Sequence, residues 1–148
     1  MSLTWRLAGA VAVDSAGYPT FPILPDCPGI YRFDFGIESG HRTLYIGEAK
    51  NLSKRTGQYR AAKRDRSHAL TSRRLHLRMI EHLLGGGTIT MAVTTEVTLG
   101  DGSSANLNRK SGRLLGESAA AVLAHREPEI LLLNKDDELG IPEPFERL

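Results

Sequence analysis

With 148 residues, 41% of them hydrophobic, the chain is long enough to bury the core of one domain, and we expect a single compact domain. No apolar run approaches the roughly 20 residues needed to cross a bilayer, and residues 1–13 carry Arg6 in their middle and lack the order of a secretory signal. Cys27 is the only cysteine, which excludes an internal disulfide and a cysteine-based zinc site and favours a reducing, cytoplasmic location.

The formal net charge of +2 conceals an uneven distribution of charge along the chain. Residues 50–78 are strongly basic, whereas residues 127–148 are mainly acidic. A concentrated basic segment is typical of a phosphate-binding surface, although a charge run by itself also occurs on solvated helix faces. The predicted contacts with nucleic acid are Lys50, Lys54, Arg60, Lys63, Arg64, Arg73 and Arg74.

The first elements of the chain are the least regular. Residues 5–13 are compatible with a short strand or with a packed arm. Four prolines between Gly17 and Gly29 interrupt regular structure, which predicts an extended lead-in and an ordered domain that begins near Gly29. The predicted organisation is therefore an arm and lead-in over residues 1–28, a domain over residues 29–134 and an acidic tail over residues 135–148.

Residues 29–47 have the pattern of a β-hairpin, with β-branched and aromatic residues on both sides of a glycine-bracketed turn. A loop over residues 36–40 would place Phe33 opposite Thr43 and Tyr31 opposite Tyr45. The two tyrosines would then lie side by side on one face of the sheet.

Helices dominate the pattern that follows. Asn51 is a predicted helix N-cap, and residues 52–66 are predicted to form a basic helix on which Arg55 and Tyr59 share one side. A second helix is predicted over residues 69–84, a third strand over residues 88–99 and a third helix over residues 110–125. Glu117 lies near the middle of the third helix, and an apolar run over residues 130–133 leads to Asn134.

Two tripeptides and three later residues give the chain a family resemblance. Gly29-Ile30-Tyr31 and Tyr45-Ile46-Gly47, followed by Arg55, Glu117 and Asn134 on later elements, resemble the GIY-YIG nuclease superfamily. Residues 45–55 are also similar to the N-terminal nuclease domain of the incision subunit of bacterial nucleotide excision repair. The resemblance implies an α+β fold, a three-stranded antiparallel sheet flanked by helices, forming a single stand-alone domain.

The same resemblance implies an active site with one divalent metal, Mg²⁺ or Mn²⁺. Its implied catalytic residues are Tyr31, Tyr45, Arg55, Tyr59, Glu117 and Asn134, with Glu117 as the metal ligand. The residue types suit the chemistry, because arginine matches two phosphate oxygens and Mg²⁺ takes few protein ligands. A tyrosine is a poor base unless a nearby cation stabilises its anion, and the sequence leaves open which of Tyr31 and Tyr45 serves as the base.

The expected function is that of a metal-dependent endonuclease that hydrolyses DNA, with double-stranded DNA as the expected partner and no membrane partner. Repair, restriction and other roles remain open at this point. The alternative is a nucleic-acid-binding module that has the same fold and has lost catalytic activity. The presence of Tyr31, Tyr45, Arg55 and Glu117 together in one chain favours the enzyme, since a binding module has no need for all four.

Overall fold

The computed structural model describes residues 2–61 and 70–134 and has an α+β architecture. Its strands are β1 (Ser2–Leu3), β2 (Arg6–Val13), β3 (Pro19–Thr20), β4 (Gly29–Glu38), β5 (His41–Ala49), β6 (Ile89–Thr94), β7 (Val97–Thr98) and β8 (Ile130–Leu132). Its helices are α1 (Leu52–Ala61), α2 (Leu70–Leu84) and α3 (Lys110–His125). The predicted α3 has the observed bounds, and the continuation of the first predicted helix to residue 66 lies outside the described residues.

The main sheet has six strands in the order β3-β2-β6-β4-β5-β8, so the expected three-stranded sheet is wrong in this detail. The extra strands come from the ends of the described chain. Strand β2, whose conformation the sequence left open, pairs antiparallel with β6 from Arg6 opposite Val93 to Val11 opposite Ile89. At the other edge, β8 pairs parallel with β5 between Arg42 and Leu44. Ordered structure therefore begins well before Gly29, and part of the predicted lead-in belongs to the sheet as β3.

The hairpin of β4 and β5 has a different register from the one predicted. Its turn is the two residues Ser39 and Gly40, both with positive φ, rather than a loop over residues 36–40. This turn alone would displace the register by three residues from the predicted one, and a bulge between Asp34 and Ile37, with Gly36 at φ 78°, reduces the displacement to two. Consequently Tyr31 lies opposite Gly47, and Phe33 lies opposite Tyr45.

This error in register amounts to two residues and leaves the faces of the strands unchanged, because side chains alternate with a period of two. Tyr31 and Tyr45 still project from the same face, as predicted, but they are diagonal neighbours rather than a directly opposed pair. The Phe33 ring lies between them, with its centroid 5.7 Å from that of Tyr31 and 6.4 Å from that of Tyr45.

Helices cover both faces of the sheet. On the tyrosine face, Tyr31, Phe33 and Phe35 pack with residues of α1 and α2, including Leu52 and Met79. On the opposite face, the core cluster contains Ile30, Leu44, Ile46 and, from α3, Ala120. Helix α3 therefore lies on the face opposite the two tyrosines. None of the helices within residues 2–61 and 70–134 has the length and apolar character needed to cross a membrane.

Candidate active site

Three tyrosines meet in the core at one end of the hairpin. The hydroxyls of Tyr31 on β4 and Tyr59 on α1 share a hydrogen bond of 2.6 Å. Both side chains are 2% exposed, whereas Tyr45 on β5 is only partly buried. Helix α1 brings Tyr59 to this position because its N-cap is the predicted Asn51, whose Oδ1 accepts a hydrogen bond from the Lys54 backbone N–H at 3.1 Å.

Gly47 is required by the position of Tyr31. A Cβ at residue 47 would lie 2.3 Å from the Tyr31 hydroxyl oxygen and 2.4 Å from Cζ of the same ring. The Tyr31 ring therefore lies across the backbone of β5, in space that any other residue type would fill. Gly29 has a comparable reason, since its Cβ would lie 2.7 Å from the Leu52 side chain of α1 and 2.8 Å from the Thr94 carbonyl oxygen. Each tripeptide thus contains a glycine that permits a close contact. Gly47 permits the contact between Tyr31 and β5, and Gly29 permits the contact between β4 and α1.

Burial keeps the three hydroxyls protonated. It raises the pKa of Tyr31, Tyr45 and Tyr59, and for Tyr31 the neighbouring Tyr45 adds to the effect of burial. The positive charge of Arg55 opposes the rise at all three tyrosines. In this structure the tyrosines are therefore hydrogen-bonding hydroxyls, and forming a tyrosinate would require more positive charge than Arg55 alone supplies.

The Arg55 side chain extends from α1 towards the part of β5 that β8 does not cover. Its guanidinium donates to the Glu48 backbone carbonyl at 3.2 Å and to Oε1 of Gln58 at 3.0 Å, and its buried Nε has no hydrogen-bond partner in the described chain. A surface groove beside it is lined by Ala49, Lys50, Asn51, Lys54, Arg55 and Gln58. Arg55 therefore lies where a basic groove on the surface meets the buried tyrosines.

Glu117 reaches the same strand edge from α3. Its carboxylate lies close to the Glu48 backbone N–H, which acts to lower the pKa of Glu117, and the Glu48 backbone C=O accepts the hydrogen bond from Arg55. This is possible because β8 pairs with β5 only as far as Leu44, and no other strand within residues 2–61 and 70–134 lies along the outer edge of β5 at Ile46 and Glu48. Although α3 packs on the face opposite the tyrosines, the Glu117 carboxylate lies at the edge, within electrostatic range of Tyr31, Tyr45 and Arg55.

The Glu117 carboxylate has the environment of a ligand for a hard cation. Burial raises its pKa, the neighbouring Glu48 raises it further, and Lys110 and Arg55 oppose the rise. Among the described residues, Glu117 has no ion-pair partner within 4.0 Å, and no three side chains of histidine, cysteine, aspartate or glutamate are grouped to hold a metal. One carboxylate fits a largely hydrated Mg²⁺ or Mn²⁺, and it does not fit a four-coordinate zinc site.

Asn134 caps the same strand edge. Its Oδ1 accepts a hydrogen bond from the Ile46 backbone N–H at 3.0 Å, and its Nδ2 donates to the Ile46 backbone carbonyl oxygen. The side chain thus pairs with the edge of β5 as a neighbouring strand would. Asn134 holds the strand that carries Tyr45 and Gly47, and its two amide atoms are occupied by that contact.

An ion cluster next to Glu117 is absent from the predictions. The Glu48 carboxylate, 6% exposed, accepts hydrogen bonds from Nε of Arg113 at 2.9 Å and from Nζ of Lys110. Burial opposes ionisation, but these two cations hold the pKa of Glu48 below its usual value. Lys110 and Arg113 lie 62 and 65 residues from Glu48 in the sequence. No local pattern links them, so only the fold reveals the cluster.

The predicted nucleic-acid contacts have different surroundings. Lys50, Lys54 and Arg73 are exposed, and the first two line the groove beside Arg55. Arg60 instead contacts Asp14 at 2.6 Å, the Pro19 carbonyl at 2.9 Å and the face of the Tyr18 ring. It therefore fastens α1 to the segment between β2 and β3 and is not a free surface cation. Arg74 is partly buried, and Lys63 and Arg64 lie outside the described residues.

The fold has a counterpart among solved structures. No family model matches the chain, and no curated protein matches it. A glutamate-to-alanine mutant of EndoII from bacteriophage T4, a nuclease of the GIY-YIG type, has a similar structure with a TM-score of 0.52 and 20% sequence identity. The comparison covers 78% of this chain and 86% of that chain. At this level of identity the similarity concerns the fold alone, and the described residues have a GIY-YIG-like fold.

Proposed function

We propose that the protein is a metal-dependent endonuclease that hydrolyses phosphodiester bonds in double-stranded DNA. The observation that carries the proposal is the meeting of Arg55, which donates to the Glu48 carbonyl oxygen, and Glu117, whose pKa responds to Glu48 and Arg55, beside the tyrosine cluster. This brings a guanidinium, a carboxylate and phenolic hydroxyls to one strand edge that opens onto a basic groove. The similarity in fold to phage T4 EndoII supports the same class of activity.

Arg55 neutralises charge on the phosphate that is attacked. A phosphodiester repels nucleophiles because it is anionic, so a fixed cation that binds two of its oxygens lowers the barrier to attack. The contacts with Glu48 and Gln58 orient the guanidinium before the substrate arrives, which reduces the cost of reorganisation. Lys50 and Lys54 in the adjoining groove would bind neighbouring phosphates.

Glu117 would hold the divalent cation. Mg²⁺ or Mn²⁺ bound there supplies charge neutralisation to the phosphate and increases the acidity of water. The chain itself contributes a partly buried carboxylate whose charge costs free energy without a cation, close to the Glu48 backbone N–H. Water is the nucleophile in this proposal.

One of the two tyrosines Tyr31 and Tyr45 serves as the base: after it loses its own proton to solvent, its phenolate accepts a proton from the attacking water, and the leaving oxygen takes up a proton from solvent. Burial raises the pKa of Tyr31 and Tyr45, so neither is ionised at rest, and a phenolate forms only when added positive charge lowers that pKa. Tyr59 holds the Tyr31 hydroxyl through the 2.6 Å hydrogen bond and is a positioning residue in this arrangement. Tyr45 is the less buried of the two, and both remain candidates for the base.

The second candidate function is a nucleic-acid-binding module without activity. The basic groove alone would suffice for it. The partly buried Glu117 argues against a module that only binds nucleic acid. A carboxylate whose pKa is raised by burial destabilises the fold when it is ionised, and its negative charge repels phosphate. A binding module would therefore be more stable and bind more tightly without Glu117.

The test is incubation of the protein with supercoiled plasmid DNA, with and without Mg²⁺ or Mn²⁺. We expect nicked and linear product only when a divalent cation is present. Glu117→Gln should abolish cleavage and leave duplex binding unchanged or slightly stronger, because the change removes a negative charge and keeps the shape. The matched control is Glu81→Gln, at an exposed glutamate on α2, which should cut at the wild-type rate.

Two outcomes would overturn the proposal. A wild-type protein that binds duplex DNA and cuts nothing with either metal would leave the binding module as the function. A Glu117→Gln variant that cuts at the wild-type rate would remove Glu117 from the mechanism.

A further inference from the structure

Lys110, the first residue of α3, occupies an unusual position beside the candidate active site. Its ammonium donates to the Glu48 carboxylate, yet 65% of its side chain is exposed. Its charge also lowers the pKa of Glu117, which shows that it lies within electrostatic range of that carboxylate. Lys110 is therefore a cation that is fixed at its tip, open to solvent and adjacent to the site.

Glu48 does not need Lys110 as a partner. Arg113 already pairs with the Glu48 carboxylate at 2.9 Å, and both side chains of that pair are almost fully buried, at 7% and 6% exposed. Arg113 is anchored in turn by donating to the Leu107 carbonyl oxygen at 3.1 Å. The buried pair is balanced in charge, so Lys110 adds a net positive charge at the rim of the site.

Stability does not explain the presence of Lys110 either. An ion pair in which one partner is mostly solvated contributes about 0–1 kcal/mol. A lysine in the first turn of a helix is opposed by the helix dipole, and the first turn of α3 contains no acidic residue to offset it.

The position of Lys110 complements that of Arg55. Arg55 comes from α1, which packs on the tyrosine face, and Lys110 comes from α3, which packs on the opposite face. Both act electrostatically on Glu117 at the strand edge between these faces. The two cations thus approach the Glu48 and Glu117 region from helices on opposite faces of the sheet, an arrangement that suits an anionic strand passing over the edge of β5.

We propose that Lys110 is a further phosphate-binding residue, which contacts a phosphate next to the one bound by Arg55 on the side opposite to Lys50 and Lys54, and that Glu48 and Arg113 are the positioning residues that hold its ammonium in place. This inference rests on the proposed function, since it assumes that the ligand at this edge is a nucleic-acid backbone. It assigns a role to a residue outside the basic segment of residues 50–78.

The primary test measures binding of Lys110→Gln to a short DNA duplex without divalent metal, across a range of salt concentrations. Loss of one phosphate contact should reduce the salt slope of log affinity by about 0.9 and weaken binding about tenfold. Lys110→Arg keeps the charge and should retain wild-type affinity within about threefold. The matched control is Arg126→Gln, at an exposed cation that follows the C-terminal end of the same helix, about 24 Å away along its axis. It should leave the slope unchanged.

Cleavage kinetics provide a second readout. Because the contact is with a neighbouring phosphate and is present before the reaction, Lys110→Gln should raise KM and leave kcat within about twofold of wild type. Thermal unfolding of each variant verifies that the fold is intact. A merely structural role for Lys110 would lower stability and leave the salt slope unchanged.

The outcomes separate this inference from the proposed function. Unchanged binding by Lys110→Gln overturns it, as does an equal loss in Arg126→Gln, which would show a general effect of net charge. A wild-type protein that binds duplex but cuts nothing overturns the nuclease proposal and leaves the role of Lys110 measurable by binding. A wild-type protein that binds no duplex overturns both.

Discussion

Gly47→Ala tests whether the close contact between Tyr31 and β5 governs both stability and catalysis. The added methyl group would lie 2.3 Å from the Tyr31 hydroxyl oxygen, whereas ordinary contacts begin at about 3.4 Å. The hydroxyl must therefore move by about 1 Å. Gly47 does not have a positive φ, so alanine introduces no backbone strain and the effect is purely steric.

The surroundings of Tyr31 leave no space for the displaced ring. Tyr31 is 2% exposed, and its ring packs against Phe33 and Tyr59 with centroids 5.7 and 6.0 Å away. Overpacking of this kind costs about 1–3 kcal/mol of unfolding free energy. A shift of about 1 Å also breaks the 2.6 Å hydrogen bond to Tyr59, and misplacement on that scale can reduce an enzyme's rate about 100-fold.

Two assays measure these effects in the same protein. Denaturant unfolding gives the loss in stability, and nicking of supercoiled plasmid with Mg²⁺ gives the loss in rate. The control is Gly57→Ala on α1, where an added Cβ meets nothing within 4 Å and should stabilise the helix by about 0.5–1 kcal/mol. Wild-type stability in Gly47→Ala would refute the steric argument, and a wild-type cleavage rate despite lost stability would refute the catalytic importance of the Tyr31 position.

Two further predictions concern the edge of β5. Burial and Glu48 raise the pKa of Glu117, so the folded, metal-free protein binds more protons than the unfolded chain just above pH 4.5, the ordinary value for glutamate. Its unfolding free energy should therefore fall as pH rises through the raised pKa, and Glu117→Gln should remove that part of the pH dependence; identical pH profiles would contradict the raised pKa. Asn134→Ala should cost about 1–3 kcal/mol, because it leaves the Ile46 N–H and C=O without partners. Hydrogen exchange of the Ile46 amide should accelerate in that variant, and unchanged protection would show that another group replaces the asparagine.

Local patterns predicted the parts of the fold that depend on neighbouring residues. The bounds of α3 follow from its alanine- and leucine-rich composition and from Pro128 beyond its end, and the N-cap of α1 follows from the chemistry of Asn51. The shared face of Tyr31 and Tyr45 survived the wrong register because an error of two residues preserves the alternation of side chains. The error came from the two-residue turn at Ser39 and Gly40, and the bulge at Gly36 made it an even number of residues; the positive φ of Gly36 does not follow from the sequence.

Distant contacts were beyond the reach of local patterns. Strand β2 owes its existence to pairing with β6, so its own sequence was compatible with a strand or an arm. Arg60 was grouped with the nucleic-acid contacts because it lies in a basic segment, and its pairing with Asp14 across 46 residues was not visible. The same limitation hid the balanced pair of Glu48 and Arg113, and with it the surplus charge of Lys110.

The partial coverage of β5 by β8 has a consequence for the order in which the molecule is assembled. Asn134 reaches Ile46 across 88 residues, so on a growing polypeptide the hairpin and α1 are complete long before their outer edge can be closed. Pairings of such long range slow folding, and an unclosed strand edge is a place where chains associate with one another. Nascent protein should therefore pass through a stage in which the tyrosines and Arg55 have been synthesised and Glu117 has not. At that stage the outer edge of β5 is exposed and can pair with another chain. Until α3 and Asn134 have been synthesised, chaperones that bind exposed strands would bind β5.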